Sequence, residues 1–190
     1  MKVRIRIIPT SNFPQGELNF ARGAYIQRFN DYAHVELTEK ILDLEEFPYR
    51  ITASREQYLA DALLQAGSRQ RENGIAVVLT SADIYTEGTN YIFGLASHGS
   101  ALVSSARINP AFWADIPDIF QYTSNGRPFF ERQYTKVLIH ELGHAFGMLH
   151  CSNWDCAMHY SNSPIELYRK GEDYCGTCWR KFLAGIQKLV

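Results

Sequence analysis

The sequence predicts an α+β fold, in which a mixed, twisted sheet with its helices precedes a small, loop-rich region. Strand and helix signals alternate through residues 3–108, and one long helical segment, residues 129–146, follows an irregular connection. Hydrophobic residues make up 46% of the chain and charged residues 21%, the balance of a globular protein, so extensive disorder is not expected. We expect one catalytic domain with two subdomains, residues 1–147 and 148–190.

Hydrophobic periodicity predicts the first three elements. Residues 3–8 place apolar side chains on one face and arginines on the other, which indicates a half-buried strand. Residues 34–37 predict a second strand. Between them, residues 16–30 predict a helix whose apolar residues fall roughly on one face: Leu18, Ala21, Tyr25 and Phe29.

A second helix is predicted from residue 54 onward. Ser54 followed by Gln57 is the capping-box pattern that starts a helix. Asn73 and Gly74 provide a C-terminal stop. The continuous apolar run 75–79 then indicates a buried strand. The predicted helix carries one apolar stripe: Tyr58, Leu59, Ala62, Leu63 and Ala66.

Two further strands precede the long helix, and one helix follows it. Residues 91–96 and 102–108 predict strands joined by the turn-rich tripeptide at 98–100. Residues 109–128 are rich in proline and turn-forming residues, which indicates a long surface connection. The last helix is predicted at residues 177–189.

Composition also restricts the partners. The formal net charge is -1, whereas phosphate binding requires a basic surface, so nucleic acid is not expected as a partner. No apolar run is long enough to span a bilayer. Residues 1–14 alternate basic and apolar residues and then meet two prolines, unlike the apolar core of a signal peptide. We expect a cytoplasmic monomer that does not bind membranes.

The segment with the strongest chemical signal is residues 140–150, HELGHAFGMLH. His140 and His144 are four residues apart, so a helix places both imidazoles on one face. Glu141 lies beside the first histidine, where it can reach a metal-bound water rather than the metal. Gly147 permits a positive φ, so the helix can end there and the chain can return His150 as a third ligand. Three protein ligands leave a position open for water, as catalytic zinc requires.

This segment resembles the extended zinc motif of the metzincin metallopeptidases, in which a Met-turn follows the third histidine. Met158, eight residues after His150, matches the Met-turn methionine. The resemblance implies a metzincin architecture, with the motif helix as the floor of an N-terminal subdomain and a zinc cleft between the subdomains. It also implies that Met158 passes beneath the metal as an apolar floor.

Four cysteines narrow the resemblance. They are spaced as Cys151-x4-Cys156 and Cys175-x2-Cys178, and Met158 lies two residues after Cys156. This pattern is similar to that of the archaemetzincins, in which the cysteines hold a second, structural zinc, although the stretch before Cys175 is one residue shorter here. Four thiolates form a closed tetrahedral site that would stabilise a segment with few helix or strand signals. Two disulfides or free thiols are the alternatives to this favoured reading.

Two aromatic residues follow the Met-turn methionine. Tyr160 matches the position at which astacin-type metzincins place a tyrosine that can reach the zinc. A packed tyrosine without a metal contact is the alternative. His159 is interpreted as a surface histidine or a neighbour of the ligands rather than as a ligand.

Together these residues predict a zinc-dependent metallopeptidase with two zinc ions per chain, one catalytic and one structural. Glu141 would act as general base, and the zinc would activate the water and stabilise the oxyanion. The strand within residues 90–97 would form the sheet edge along the cleft, where a peptide or protein substrate could pair with it. Two alternatives stay open: a catalytically weak zinc-binding interaction module, and a zinc hydrolase of a non-peptide amide.

Overall fold

The computed structural model describes residues 2–113 and 126–188. In this part of the chain the strands are β1 (Val3–Pro9), β2 (Ala33–Leu37), β3 (Tyr49–Thr52), β4 (Arg55–Leu59), β5 (Ile75–Thr80), β6 (Asp83–Tyr85), β7 (Gly94–Ser97) and β8 (Ser100–Ser104). The helices are α1 (Gln15–Phe29), α2 (Ala60–Ser68), α3 (Gly126–Ala145), α4 (Pro164–Arg169) and α5 (Gly176–Gln187). This mixture of strands and helices confirms the predicted fold class.

A five-stranded sheet with the order β2-β1-β5-β8-β7 forms the centre of the molecule. Its strands pair in parallel, except that β7 pairs antiparallel with β8 and is the last strand in the sheet. Every residue of β5 is buried, as its continuous apolar sequence predicts. The two helices α1 and α3 share a hydrophobic core with one face of the sheet, and α2 packs on the other face.

The region predicted as a single long helix from Ser54 contains a β-hairpin instead. Strands β3 and β4 pair antiparallel, and Ala53 and Ser54 form the turn between them with φ values of 48° and 61°. Positive φ at both central residues is the geometry of a tight hairpin turn. Strand β4 is also held by β6, a partner distant in sequence, so Ser54 caps no helix here and α2 begins only at Ala60.

Other boundaries differ by a few residues. The strand predicted at 91–96 is shorter, because only an isolated bridge between Ile84 and Ile92 precedes β7. Strand β8 ends at Ser104, and a short 3-10 turn, Ala106–Ile108, replaces the rest of the predicted strand. The connection expected at 109–128 contains a 3-10 turn, Pro110–Trp113, and its residues 114–125 lie outside the described residues.

The C-terminal region packs back on the rest of the chain. Phe182 of α5 is fully buried between Phe29 of α1 and Phe146 at the end of α3, with ring centroids 4.9 Å from each. Helix α4 was not predicted, because its six residues give too little periodicity. None of the helices in residues 2–113 and 126–188 is long and apolar enough to cross a membrane.

Candidate metal centres and active-site cleft

The structure brings the three predicted histidine ligands together. His140 and His144 project from the same face of α3, with their Nε2 atoms 3.2 Å apart. Gly147 has φ of +82° and ends the helix, so the chain turns back and brings His150 to the other two rings. The ring of His150 stacks on that of His140, with centroids 5.2 Å apart, and meets that of His144 edge-on, with centroids 4.7 Å apart. Two nitrogens bound to a tetrahedral zinc lie about 3.3 Å apart, so the spacing of the Nε2 atoms fits this metal.

Backbone carbonyls orient two of the imidazoles. The Nδ1 atom of His140 donates to the carbonyl of Ala157, and Nδ1 of His144 donates to the carbonyl of Met148, both at 2.7 Å. Because a carbonyl can only accept, both Nδ1 atoms carry the proton and both Nε2 atoms present a lone pair to a metal. Burial also lowers the pKa of His140 well below its ordinary value, with nearby Lys170 adding to the effect, so this ring is neutral and ready to bind.

Glu141 lies next to the ligands and is only 7% exposed. Burial raises the pKa of its carboxyl to about 8, although the positive charge of Lys170 lowers it in part. Gly94 of the edge strand makes room for this side chain. A Cβ atom on Gly94 would lie 2.5 Å from Cγ of Glu141, so no larger residue fits without displacing the carboxylate.

The predicted Met-turn lies directly under the motif helix. Met158 is fully buried, and a Cβ atom on Gly143 would lie 2.4 Å from its sulfur, so the methionine packs against α3 between the two helical histidines. The carbonyl of Met158 accepts from the backbone N–H of Cys151 at 2.9 Å. Tyr160 is 51% exposed and its ring centroid lies 5.0 Å from that of His150, while the ring of His159 stacks on that of Trp154.

The four cysteines form a second group of possible ligands, and all four thiols are free. The sulfurs of Cys151 and Cys175 lie 3.9 Å apart, too far for a disulfide but close to the separation of about 3.8 Å for two thiolates on one tetrahedral zinc. The backbone N–H of Cys178 helps to lower the pKa of Cys175 to about 7, whereas burial raises the pKa of Cys178 itself. The donor set and its spacing fit a closed zinc site.

A cleft of about 820 Å³ opens over the histidines. Residues 89–98, which include β7, line one side, and residues 160–162 after the Met-turn line the other. The hydroxyl of Tyr91 donates to the carbonyl of Asn162 at 3.1 Å and joins the two sides. The strand expected as the sheet edge beside the active site is therefore in that position, although it is shorter than predicted.

Sequence reasoning missed three residues of this region. Gly94 and Lys170 belong to no motif, and their positions depend on contacts between elements far apart in the chain. Tyr91 was seen only as part of a strand. In the sequence, Lys170 is only a lysine in a loop-rich segment. Most lysines lie at the surface, so nothing in the sequence indicated that this one is buried.

Comparisons with known proteins agree with this geometry. The sequence model described as Peptidase family M54 matches residues 50–184. A curated archaemetzincin from Pyrococcus furiosus is 35% identical over 189 residues, covering 95% of this chain and 93% of its own length. A second, from Pyrococcus horikoshii, is 39% identical over 145 residues, covering 74% of this chain and 73% of its own.

Solved structures show the same relationship. The crystal structure of archaemetzincin from Methanopyrus kandleri has a TM-score of 0.73 and 26% identity, covering 98% of this chain and 96% of that one. The archaemetzincin of Archaeoglobus fulgidus, complexed with malonate, has a TM-score of 0.74 and 26% identity, covering 94% and 99%. The fold and the family therefore define a zinc-dependent metallopeptidase of the metzincin type. The chain belongs to peptidase family M54, the archaemetzincins, which confirms the resemblance inferred from its histidines and cysteines.

Proposed function

We propose that this metallopeptidase hydrolyses peptide bonds in its cleft, with a catalytic zinc held by His140, His144 and His150 and with Glu141 as general base. The observation that carries the proposal is the convergence of three imidazoles beside one buried carboxylate at the base of an open cleft. Three protein ligands leave one position of a tetrahedral metal for water or substrate. The carboxylate has no place in that ligand group, which leaves it available for proton transfer.

Glu141 carries the proton through the reaction. When bound, zinc supplies a Lewis acid that lowers the pKa of a water molecule toward neutrality and polarises the substrate carbonyl. Glu141 takes the proton from the attacking water and later delivers it to the leaving amine. Burial raises the pKa of this carboxyl, and a carboxyl whose pKa lies closer to neutral pH than its ordinary value can both accept a proton and release it.

The edge strand β7 orients the substrate. It is the outermost strand of its sheet and lines the cleft beside Glu141, so its free backbone groups can pair with an extended peptide. Main-chain pairing of this kind holds a peptide across the cleft whatever its side chains. We propose on this basis that the substrate is an extended segment of a peptide or protein.

We also propose that the four cysteines hold a second, structural zinc. Their sulfur spacing supports a closed thiolate site, and within the described part of the chain the group contains no imidazole or carboxylate. Cys175 and Cys178 lie at the start of α5, and Cys151 and Cys156 flank the turn before Met158. An ion bound there would tie the last helix to the Met-turn. We propose further that residues 1–147 and 148–190 form the two subdomains on either side of the cleft.

Paired variants separate the chemistry from metal binding. Glu141→Gln should keep both zinc ions and lose nearly all turnover, since general-base catalysis contributes about 10²–10⁴-fold. His144→Ala should lose one zinc ion together with the activity. Zinc content by elemental analysis and cleavage of a proteome-derived peptide library are measured on the same samples, and the parent protein should contain two zinc ions.

Glu131→Gln is the matched control, because this residue lies on the same helix and pairs with Arg127 outside the cleft. It should retain both metal and rate. A zinc-replete Glu141→Gln protein that cleaves at the parental rate would remove Glu141 from the mechanism. A parent protein that cleaves no peptide under conditions of full metal loading would contradict the proposed function as a whole.

A further inference from the structure

The cleft contains a buried lysine that the mechanism above does not use. Lys170 is only 3% exposed, yet it lines the same cleft as Glu141 and the three histidines. Its Nζ atom lies 3.1 Å from the carbonyl oxygen of His159 and 3.3 Å from Nδ1 of His140. Burying an ammonium group is costly unless its donors are satisfied, so the partners of Nζ are informative.

Only one of these two contacts is a hydrogen bond. Nδ1 of His140 donates its proton to the carbonyl of Ala157, so it has no lone pair to accept from Lys170. An ammonium group has three N–H donors, and the carbonyl of His159 satisfies one of them. Among residues 2–113 and 126–188, no carboxylate forms an ion pair with Lys170 within 4.0 Å. Donor capacity is therefore left over at the cleft.

A second buried lysine, Lys136, has more hydrogen-bond acceptors for its ammonium group than Lys170 has. Lys136 lies one turn before His140 on α3, is 2% exposed, and donates to the carbonyls of Leu167 and Tyr168 at 3.1 Å and 2.8 Å. Those carbonyls belong to the C-terminal end of α4, where a cation is favoured. Lys136 is not among the residues that line the cleft, so its role is to hold α4 against the motif helix.

The charges that line the cleft also favour the binding of an anionic group. Among the residues that the structure describes, its lining contains one carboxylate, that of Glu141. Against it stand the ammonium of Lys170 and the three neutral imidazoles that would hold a divalent cation. With the metal bound, positive charge exceeds negative charge beside the reacting bond. Such a site favours an anionic group and disfavours a cationic one.

We propose that Lys170 forms a subsite for a carboxylate of the substrate close to the scissile bond, supplied by an acidic side chain or by the C-terminus of the peptide. This inference rests on the proposed peptidase function. Both sources offer the same planar anionic acceptor, which a charge-assisted hydrogen bond from Nζ recognises. The carboxylate would take the donors that no described residue satisfies, and a peptide with a basic residue at that position would be excluded.

Binding to a protein that cannot turn over tests the subsite. The zinc-loaded Glu141→Gln protein is titrated by calorimetry with four N-acetylated peptides. They differ only in having Asp or Asn at one position and a free or an amidated C-terminus. The preferred acid should bind roughly 10- to 100-fold more tightly than its amide counterpart. An Asp effect identifies a side-chain source, and a C-terminal effect identifies the chain end. The position of Asp is moved along the peptide to locate the subsite.

Three variants in the same background assign the effect. Lys170→Met should lose most of the preference, Lys170→Arg should retain it because the charge remains, and Lys136→Met should retain it because that lysine is equally buried but outside the cleft. Zinc is present throughout, so direct attraction of carboxylate to metal cancels in the comparison. The subsite is refuted if the Glu141→Gln protein binds acids and amides equally. It is also refuted if folded Lys170→Met protein keeps the preference for acids, or if folded Lys170→Arg protein loses it. A Lys170-dependent preference without cleavage by the parent would support the subsite and contradict the peptidase function.

Discussion

Replacing Gly94 by alanine would place a methyl group against the carboxylate of Glu141. The new Cβ atom would lie 2.5 Å from Cγ and 2.7 Å from Cδ of Glu141, and 2.7 Å from the carbonyl oxygen of Leu102. Ordinary carbon contacts begin at 3.4 Å. The oxygen of Leu102 belongs to the neighbouring strand β8 and yields little, so β7 itself must shift as well as the side chain of Glu141.

The required displacement is about 1 Å, the difference between the contact distance that alanine would impose and an ordinary one. A misplacement of about 1 Å in a catalytic group costs on the order of 10²-fold in rate. Overpacking a buried position also costs about 1–3 kcal/mol of folding stability. We therefore expect Gly94→Ala to reduce turnover about 100-fold while the protein remains folded and keeps its zinc.

The assay compares zinc content, melting temperature and initial rate of peptide cleavage on the same preparation. Gly23→Ala is the matched control, because Gly23 lies on the exposed side of α1 and an added Cβ there meets no atom within 4 Å. That substitution should leave the rate unchanged and stabilise the helix by about 0.5–1 kcal/mol. A Gly94→Ala protein with full zinc content and the parental rate would show that the position of Glu141 is not set by this contact.

Two further predictions concern the metal sites. Cys175→Ser should remove the structural zinc and lower the melting temperature by at least about 10 °C. Ser152→Ala, a control in the same segment, should change neither the zinc content nor the melting temperature. A Cys175→Ser protein that melts like the parent would argue against a structural ion. Without zinc, Glu141 has a raised pKa of about 8 in the folded protein against 4.5 as an ordinary carboxyl. The zinc-free protein should therefore be most stable below pH 4.5 with respect to this group and lose up to about 5 kcal/mol as the pH rises through 8. Glu141→Gln should remove that part of the pH dependence of unfolding, and an unchanged profile would contradict the pKa assignment.

The metal groups were visible in the sequence because their information is local. The spacing of His140 and His144 needs only a helix, and Gly147 needs only its permitted φ to return His150. The paired spacing of the cysteines is equally compact. The structure brings the histidines together within residues 140–150, whereas the two cysteine pairs meet only because residues 157–174, which include α4, lead the chain back to Cys175.

The hairpin at β3 and β4 shows where local information misleads. Ser54 and Gln57 satisfy a helix-capping pattern, but the segment gains more from pairing with β6, which lies beyond α2 in the chain. Ala53 and Ser54 have positive φ values, which cost conformational free energy for residues other than glycine. Neither residue type therefore indicates a turn of this kind in the sequence. Pairing between distant strands decided the conformation, and a single sequence does not report it.

Lys170 and Gly94 were missed for a related reason. Their importance lies in what approaches them: Nδ1 of His140 in one case and the side chain of Glu141 in the other. A lysine or a glycine outside a motif has many ordinary explanations, so neither residue type is informative without the fold. Residues that touch the ligands from other elements can be found only once those elements are placed.

The adjacency of His150 and Cys151 has a consequence for how the enzyme is assembled. A single peptide bond separates the third imidazole from the first thiolate, and the N–H of Cys151 is itself held by the carbonyl of Met158. If both groups bind zinc as proposed, filling the thiolate group fixes the loop that presents His150, so loading follows an order with the thiolates first. Zinc would be removed in the opposite order. A weak chelator would take only the catalytic zinc and leave a folded protein that regains activity when zinc is added again. A strong chelator would remove the zinc from both sites.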